Sequence, residues 1–145
     1  MTLALGVLAS GRGSNLQAIL DACARPGFPA RVAVVISDRE RAPALDRART
    51  AGVEALWLNP KDFGDRDAYD AALVRELEAR AVGLVCQAGW MRILSPAYVR
   101  AFHGRAINIH PSLLPAFPGL HPQRQALEHG VAVAGATVQD RKSVV

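Results

Sequence analysis

Lysine is almost missing from this chain: of its 17 basic residues only Lys61 and Lys142 are lysines, and the rest are arginines. Those arginines are scattered, and no basic stripe interleaves with aromatic residues, so a nucleic-acid partner is not favoured. Cysteine is equally scarce. Cys23 and Cys86 lie far apart in apolar surroundings with no C-x-x-C spacing. They read as buried free thiols suited to a reducing cytoplasm rather than as a disulfide framework. No apolar run is long enough to span a bilayer. The first residues, MTLALGVLASGRGSN, lack a basic leader region and read as an opening strand, not a signal peptide. The four histidines, His103, His110, His121 and His129, have neither H-E-x-x-H spacing nor helper cysteines, which argues against a zinc site. Ser112 lies near His110, but no G-x-S-x-G elbow is present, so a serine nucleophile is disfavoured.

What is there points to one globular domain over residues 1–145. The chain has 145 residues, half of them hydrophobic and about a fifth charged, with a net charge of +4. That suffices for one real core and is too short for two ordinary domains. Apolar runs at 3–9, 32–37, 53–58, 83–89 and 105–109 predict five strands, and AGATV (134–138) offers a sixth. Helical patterns over 15–24, 43–52, 65–81, 95–102 and 122–129 fall between them. Tyr69, Leu73 and Leu77 stand four apart in the strongest of these, while Asp65, Asp67 and Asp70 read as its solvated first turn. Unbroken apolar strands joined by helices predict a doubly wound α/β fold with a mainly parallel sheet.

In such folds ligands bind beyond the carboxyl ends of the strands. Three unusual segments sit there. SGRGSN (10–15) has glycines for a tight turn and a helix start whose free N–H groups suit a phosphate. It reads equally as a plain strand-to-helix turn with Ser14 as N-cap. AGWMRIL (88–94) sets Met91, Ile93 and Leu94 around Arg92, a wall for a flat heteroaromatic ligand or a loop packing its own apolar residues. In INIHP (107–111), Asn108 and His110 are two apart on a strand and share one side, with Ile107 and Ile109 on the other. An amide can stabilise an oxyanion and an imidazole can move protons. The alternative is a pair of satisfied polar residues tying down the proline loop.

Taken together and in this order, SGRGSNLQAIL, AGWMRILSP and NIHPSLLPAFPGLHPQRQAL resemble the phosphoribosylglycinamide formyltransferase family, from about residue 4 to Val138. The resemblance implies a Rossmann-like formyltransferase fold. It also implies transfer of a formyl group from 10-formyltetrahydrofolate to the amine of glycinamide ribonucleotide in purine biosynthesis, with no metal and no covalent intermediate. By matching motif positions it assigns Gly13, Ser14 and Asn15 to the ribonucleotide's phosphate. Met91, Arg92, Ile93 and Leu94 fall to the folate, together with Arg66 in a looser stretch. Asn108 would stabilise the oxyanion, His110 would be the acid/base, and Gly89 and Pro111 would shape the substrate cleft. The implied partners are these small molecules, in the cytoplasm, with neither nucleic acid nor membrane.

One stretch departs from the family. After Thr137–Val138 the family continues His-Phe-Val and then an acidic loop whose Asp orients the catalytic His, whereas this chain reads QDRKSVV, with Gln139 at the first position of His-Phe-Val and that catalytic Asp missing. The resemblance therefore implies a shortened C-terminal part, a complete pocket with weak turnover, and an apolar surface favouring self-association. Rival readings are formyltetrahydrofolate hydrolase, methionyl-tRNA formyltransferase and a folate- or nucleotide-binding module without catalysis. The first two usually carry extra domains that this sequence does not show.

Overall fold

A computed structural model describes residues 2–110, 114, 116, 118, 119, 121–133 and 135–140, with the backbone alone for His110, Gln139 and Asp140. Six strands form one sheet: β1 (Leu3–Leu8), β2 (Ala30–Ser37), β3 (Glu54–Trp57), β4 (Leu84–Gln87), β5 (Ala106–His110) and β6 (Thr137–Asp140). Their spatial order is β3-β2-β1-β4-β5-β6. The first five pair in parallel, and β6 runs antiparallel to β5, opposing Thr137 to His110 and Gln139 to Asn108. The doubly wound, mainly parallel α/β fold expected from the sequence is thus the one observed. The sixth strand starts three residues later than the apolar pattern suggests and runs on through Gln139, because ladder pairing with β5 rather than hydropathy sets its ends.

Among the described residues, α-helices pack on both faces of the sheet. Helices α1 (Ser14–Cys23) and α2 (Pro43–Thr50) bury Leu16, Leu20, Ala44, Leu45 and Ala48 against Leu5, Val7 and Cys86. Helices α3 (Arg66–Ala79) and α4 (Pro96–Ala101) bury Leu73, Leu77, Tyr98 and Val99 against Leu8, Ile36 and Val85. The fifth helix, α5 (Pro122–His129), ends at Gly130 in the left-handed conformation. Alternate residues of β1 and β4 feed opposite cores, as the two-residue period of a strand requires.

Cys23 and Cys86 are both free thiols, and the second lies buried on the α1/α2 face. Burial pushes the Cys86 thiol up to about 11 from an ordinary 9.0. The folded state therefore holds this proton more tightly than the unfolded chain. The resulting stability is complete below pH 9 and is lost as pH rises toward 11. Two pH units correspond to at most about 2.7 kcal/mol. Urea unfolding at pH 8 and at pH 10.5 is expected to show this decline, and Cys86→Ala is expected to flatten it. An equally steep decline in the variant would assign the effect to other groups.

Candidate active site

The sheet reverses its winding between β1 and β4, and the crevice this opens lies at their carboxyl ends. Two of the three unusual segments meet there and are sewn together by Ser10. Its backbone N–H donates to the Gly89 carbonyl at 3.0 Å, and its hydroxyl accepts the Met91 N–H at 3.0 Å. Ser10 is buried, and the sequence reading does not single it out. A hydroxyl closing an apolar strand just before a glycine is the one local signal. Gly89 supplies its carbonyl from a left-handed backbone at φ 87°.

The turn after β1 is shaped by contact with α2. Gly13, not Ser14, is the N-cap of α1, with φ 79°, and no side chain caps this helix. Ser14 is the first helical residue and is exposed, as is Asn15. The Ser14-capped turn is thereby replaced by a glycine turn, because a Cβ on residue 13 would lie 2.9 Å from Ala44 Cα. The Ala44 N–H donates to the Gly11 carbonyl at 3.2 Å and Arg47 Nε donates to the Arg12 carbonyl at 2.8 Å. In a trans peptide the C=O and the following N–H point in opposite directions. Pinning these two carbonyls on α2 turns the N–H groups of Arg12 and Gly13 away from it. Neither these nor those of Ser14 and Asn15 meet an acceptor among the described residues. Four successive free amides at a helix start are a geometry suited to an anion.

The 88–94 segment divides its side chains. Met91 and Ile93 stand about half exposed, while Leu94 is fully enclosed in the α3/α4 core. Met91 and Ile93 therefore leave apolar surface beside Arg92, and Leu94 anchors the loop from below. Arg92 lays its guanidinium over the Tyr69 ring, 4.6 Å from the centroid. Among the described residues its buried Nε has no hydrogen-bond partner, nor do the buried Trp90 Nε1 and Asp38 Oδ1. Arg66 begins α3 one turn before Tyr69 and is exposed. Tyr69 holds its own position by donating its hydroxyl to the Leu58 carbonyl at 2.9 Å. Burial, with Asp38 nearby, holds that phenol protonated well above its usual range.

Asp70 departs from the solvated first turn expected for it. Asp65 does cap α3, accepting the Ala68 N–H, and Asp67 is exposed. Asp70 is instead buried, and its Oδ2 accepts the Ser95 N–H at 2.6 Å. It shares the inward stripe with Leu73 and Leu77, three and seven residues on, a relation the helical period carries. Since Ser95 opens α4, this carboxylate fixes where the 88–94 loop ends. Asp70→Ala is expected to cost about 2–3 kcal/mol by orphaning a buried amide. Chemical denaturation checks it, and a loss under about 0.5 kcal/mol, the range of ordinary surface substitutions, would contradict it.

On β5, Asn108 is half-buried and pairs through its backbone register with Gln87 and Gln139. Its amide makes no hydrogen bond with the described residues, and most of the proline loop that follows lies outside them. His110 is the last residue of the strand, two beyond Asn108. The His110 imidazole and all of Pro111 lie outside the described residues. Among the described residues no group of three or more His, Cys, Asp or Glu side chains is placed to hold a metal.

A mainly parallel sheet with free amides after β1, a half-apolar loop after β4 and Asn108 near the end of β5 has the layout of a doubly wound α/β protein with its candidate ligand site at the strand ends. The formyl transferase family matches residues 4–142, and the chain belongs to that family. It is 50% identical to the phosphoribosylglycinamide formyltransferase of Escherichia coli strain K12 over 132 residues, 91% of this chain and 62% of that protein. It is 51% identical to the trifunctional purine biosynthetic protein adenosine-3 of Drosophila melanogaster over 136 residues, 92% of this chain and 10% of that protein. The fold superposes on the crystal structure of glycinamide ribonucleotide transformylase 1 from Symbiobacterium toebii with a TM-score of 0.95 at 57% identity, covering 99% of this chain and 68% of that one. The chain thus spans just over three-fifths of the bacterial relative and a tenth of the insect one.

Proposed function

We propose that this chain carries the catalytic end of a formyl transfer from 10-formyltetrahydrofolate to the amine of glycinamide ribonucleotide, in the cytoplasm. The observation that carries this reading is the meeting of the free amides of residues 12–15 with the 88–94 loop through Ser10. Gly13, Ser14 and Asn15 bind the ribonucleotide's phosphate, whose charge the helix start and four free N–H groups favour. Met91 and Ile93 offer apolar surface to the folate ring, Leu94 offers backbone, and Arg66 and Arg92 suit a carboxylated tail. Gly89 and Pro111 shape the cleft between the two ligands.

The proposed chemistry rests on the family resemblance and on the position of Asn108 and His110 at the end of β5. The ribonucleotide amine attacks the formyl carbon, and negative charge gathers on the formyl oxygen. The Asn108 amide donates to that oxyanion, which is the charge it can stabilise without prior reorganisation. His110 passes a proton to the folate nitrogen as the carbon–nitrogen bond breaks, and the attacking nitrogen loses its own proton. Atoms balance as one formylated amine and one deformylated folate.

The test is loss of the formyl group from 10-formyltetrahydrofolate, followed spectroscopically with and without glycinamide ribonucleotide. Turnover that requires the ribonucleotide supports the transferase. Loss without it would point to the hydrolase reading. Folate binding with no turnover would favour a binding module and agree with Gln139 standing where the family has a His.

A further inference from the structure

We propose that Arg47 is a positioning residue for the anion nest, setting affinity for a phosphomonoester while leaving the folate side untouched. The inference rests on the reading that residues 12–15 hold the ribonucleotide's phosphate, and it adds the group that shapes them. Arg47 lies on α2, 35 residues along the chain from the carbonyl it grips. Its Nε donates to the Arg12 oxygen at 2.8 Å, and its Nη1 donates to Gln17 Oε1 at 3.2 Å. Gln17 in turn donates from Nε2 to Asp21 Oδ1 at 2.9 Å, so the far end of the fork is fixed to α1 itself.

This is a two-pronged brace between two helices and the turn that joins β1 to α1. The planar guanidinium satisfies two acceptors whose relative position defines where the turn enters the helix. Because the Arg12 carbonyl is held on α2, the Gly13 N–H must face the other way. Release of that carbonyl frees the peptide to rotate and removes one donor from the nest. The stem is part of the fit as well, since its Cδ would lie 3.2 Å from a Cβ at position 13. Nothing ties Arg47 to the 88–94 loop, which is held by Ser10, Asp70 and Tyr69 instead.

The experiment is calorimetric titration of the purified chain with ribose 5-phosphate and, separately, with 10-formyltetrahydrofolate, for the wild type, Arg47→Met and Arg47→Lys. Loss of a hydrogen bond from a charged donor predicts about tenfold weaker ribose 5-phosphate binding in Arg47→Met. Arg47→Lys keeps the cation but not the fork and is expected to fall between it and the wild type. Folate affinity is expected to stay within about twofold in both, because additivity holds for separate sites. Unchanged ribose 5-phosphate affinity in Arg47→Met, or an equal loss for both ligands, overturns the inference. Where Arg47→Met does not fold, Arg47→Lys decides alone, and wild-type phosphate affinity in it overturns the inference. A wild type that binds folate but no ribose 5-phosphate brings down the phosphate reading itself, which distinguishes the two failures.

Discussion

Asn108→Ala is expected to lower kcat for formyl transfer by about 10²–10³-fold, the usual cost of losing one oxyanion donor. The Michaelis constants should stay within about twofold, because the amide meets charge only as it develops. The structure makes this a clean substitution. Asn108 contributes to the sheet through its backbone, opposite Gln87 and Gln139, and that ladder survives truncation. The side chain is only half-buried, so stability should change by under about 1 kcal/mol. Steady-state kinetics and urea unfolding on the same preparation separate the two effects. More than a tenth of the wild-type kcat retained in the variant would remove Asn108 from this role.

Gly13→Ala is expected to cost about 2–4 kcal/mol of stability and to abolish detectable phosphomonoester binding. Two costs coincide. The backbone sits at φ 79°, where an L side chain is strained by roughly 1–2 kcal/mol. The added Cβ would also meet Ala44 Cα and Cβ at 2.9 Å, and the first of these is backbone that cannot rotate aside. Separating α1 from α2 then loosens the Arg47 and Ala44 contacts that orient the amides. Two other glycines calibrate the effect. Gly89→Ala carries the left-handed cost alone, about 1–2 kcal/mol, since its surroundings are open. Gly11→Ala carries neither and is expected to be nearly silent. Thermal unfolding of the three variants should rank them in that order, and a Gly11→Ala variant as damaged as Gly13→Ala would refute the argument.

Much of this protein is legible in its amino-acid sequence. The apolar runs locate five strands to within about two residues at most ends, and the caps are written in local chemistry: Pro43 opens α2, and Ser95 accepts the Tyr98 N–H at the start of α4. The site is legible as three segments, because glycines, prolines and paired polar residues at strand ends have few other uses in a packed sheet. Three residues escape. Ser14 reads as a cap because serine usually is one, and the close approach of Ala44 that makes glycine the cap has no local signature. Asp70 reads as solvent-exposed because its partner, Ser95, is 25 residues away. Leu94 reads as part of a ligand wall, since an apolar loop residue looks the same whether it faces a ligand or the core beneath.

The sequence by itself determined the order of strands and helices, the doubly wound class and the family, since hydrophobic period, turn residues and motif spacing are properties of neighbours along the chain. Only the tertiary structure decided how the first turn and the 88–94 loop come together. The contacts that aim the amides, end the 88–94 loop and join it to the first turn span 35, 25 and 81 residues. Such pairings carry no periodic signal, because they arise where the winding of the sheet reverses and brings distant strand ends together.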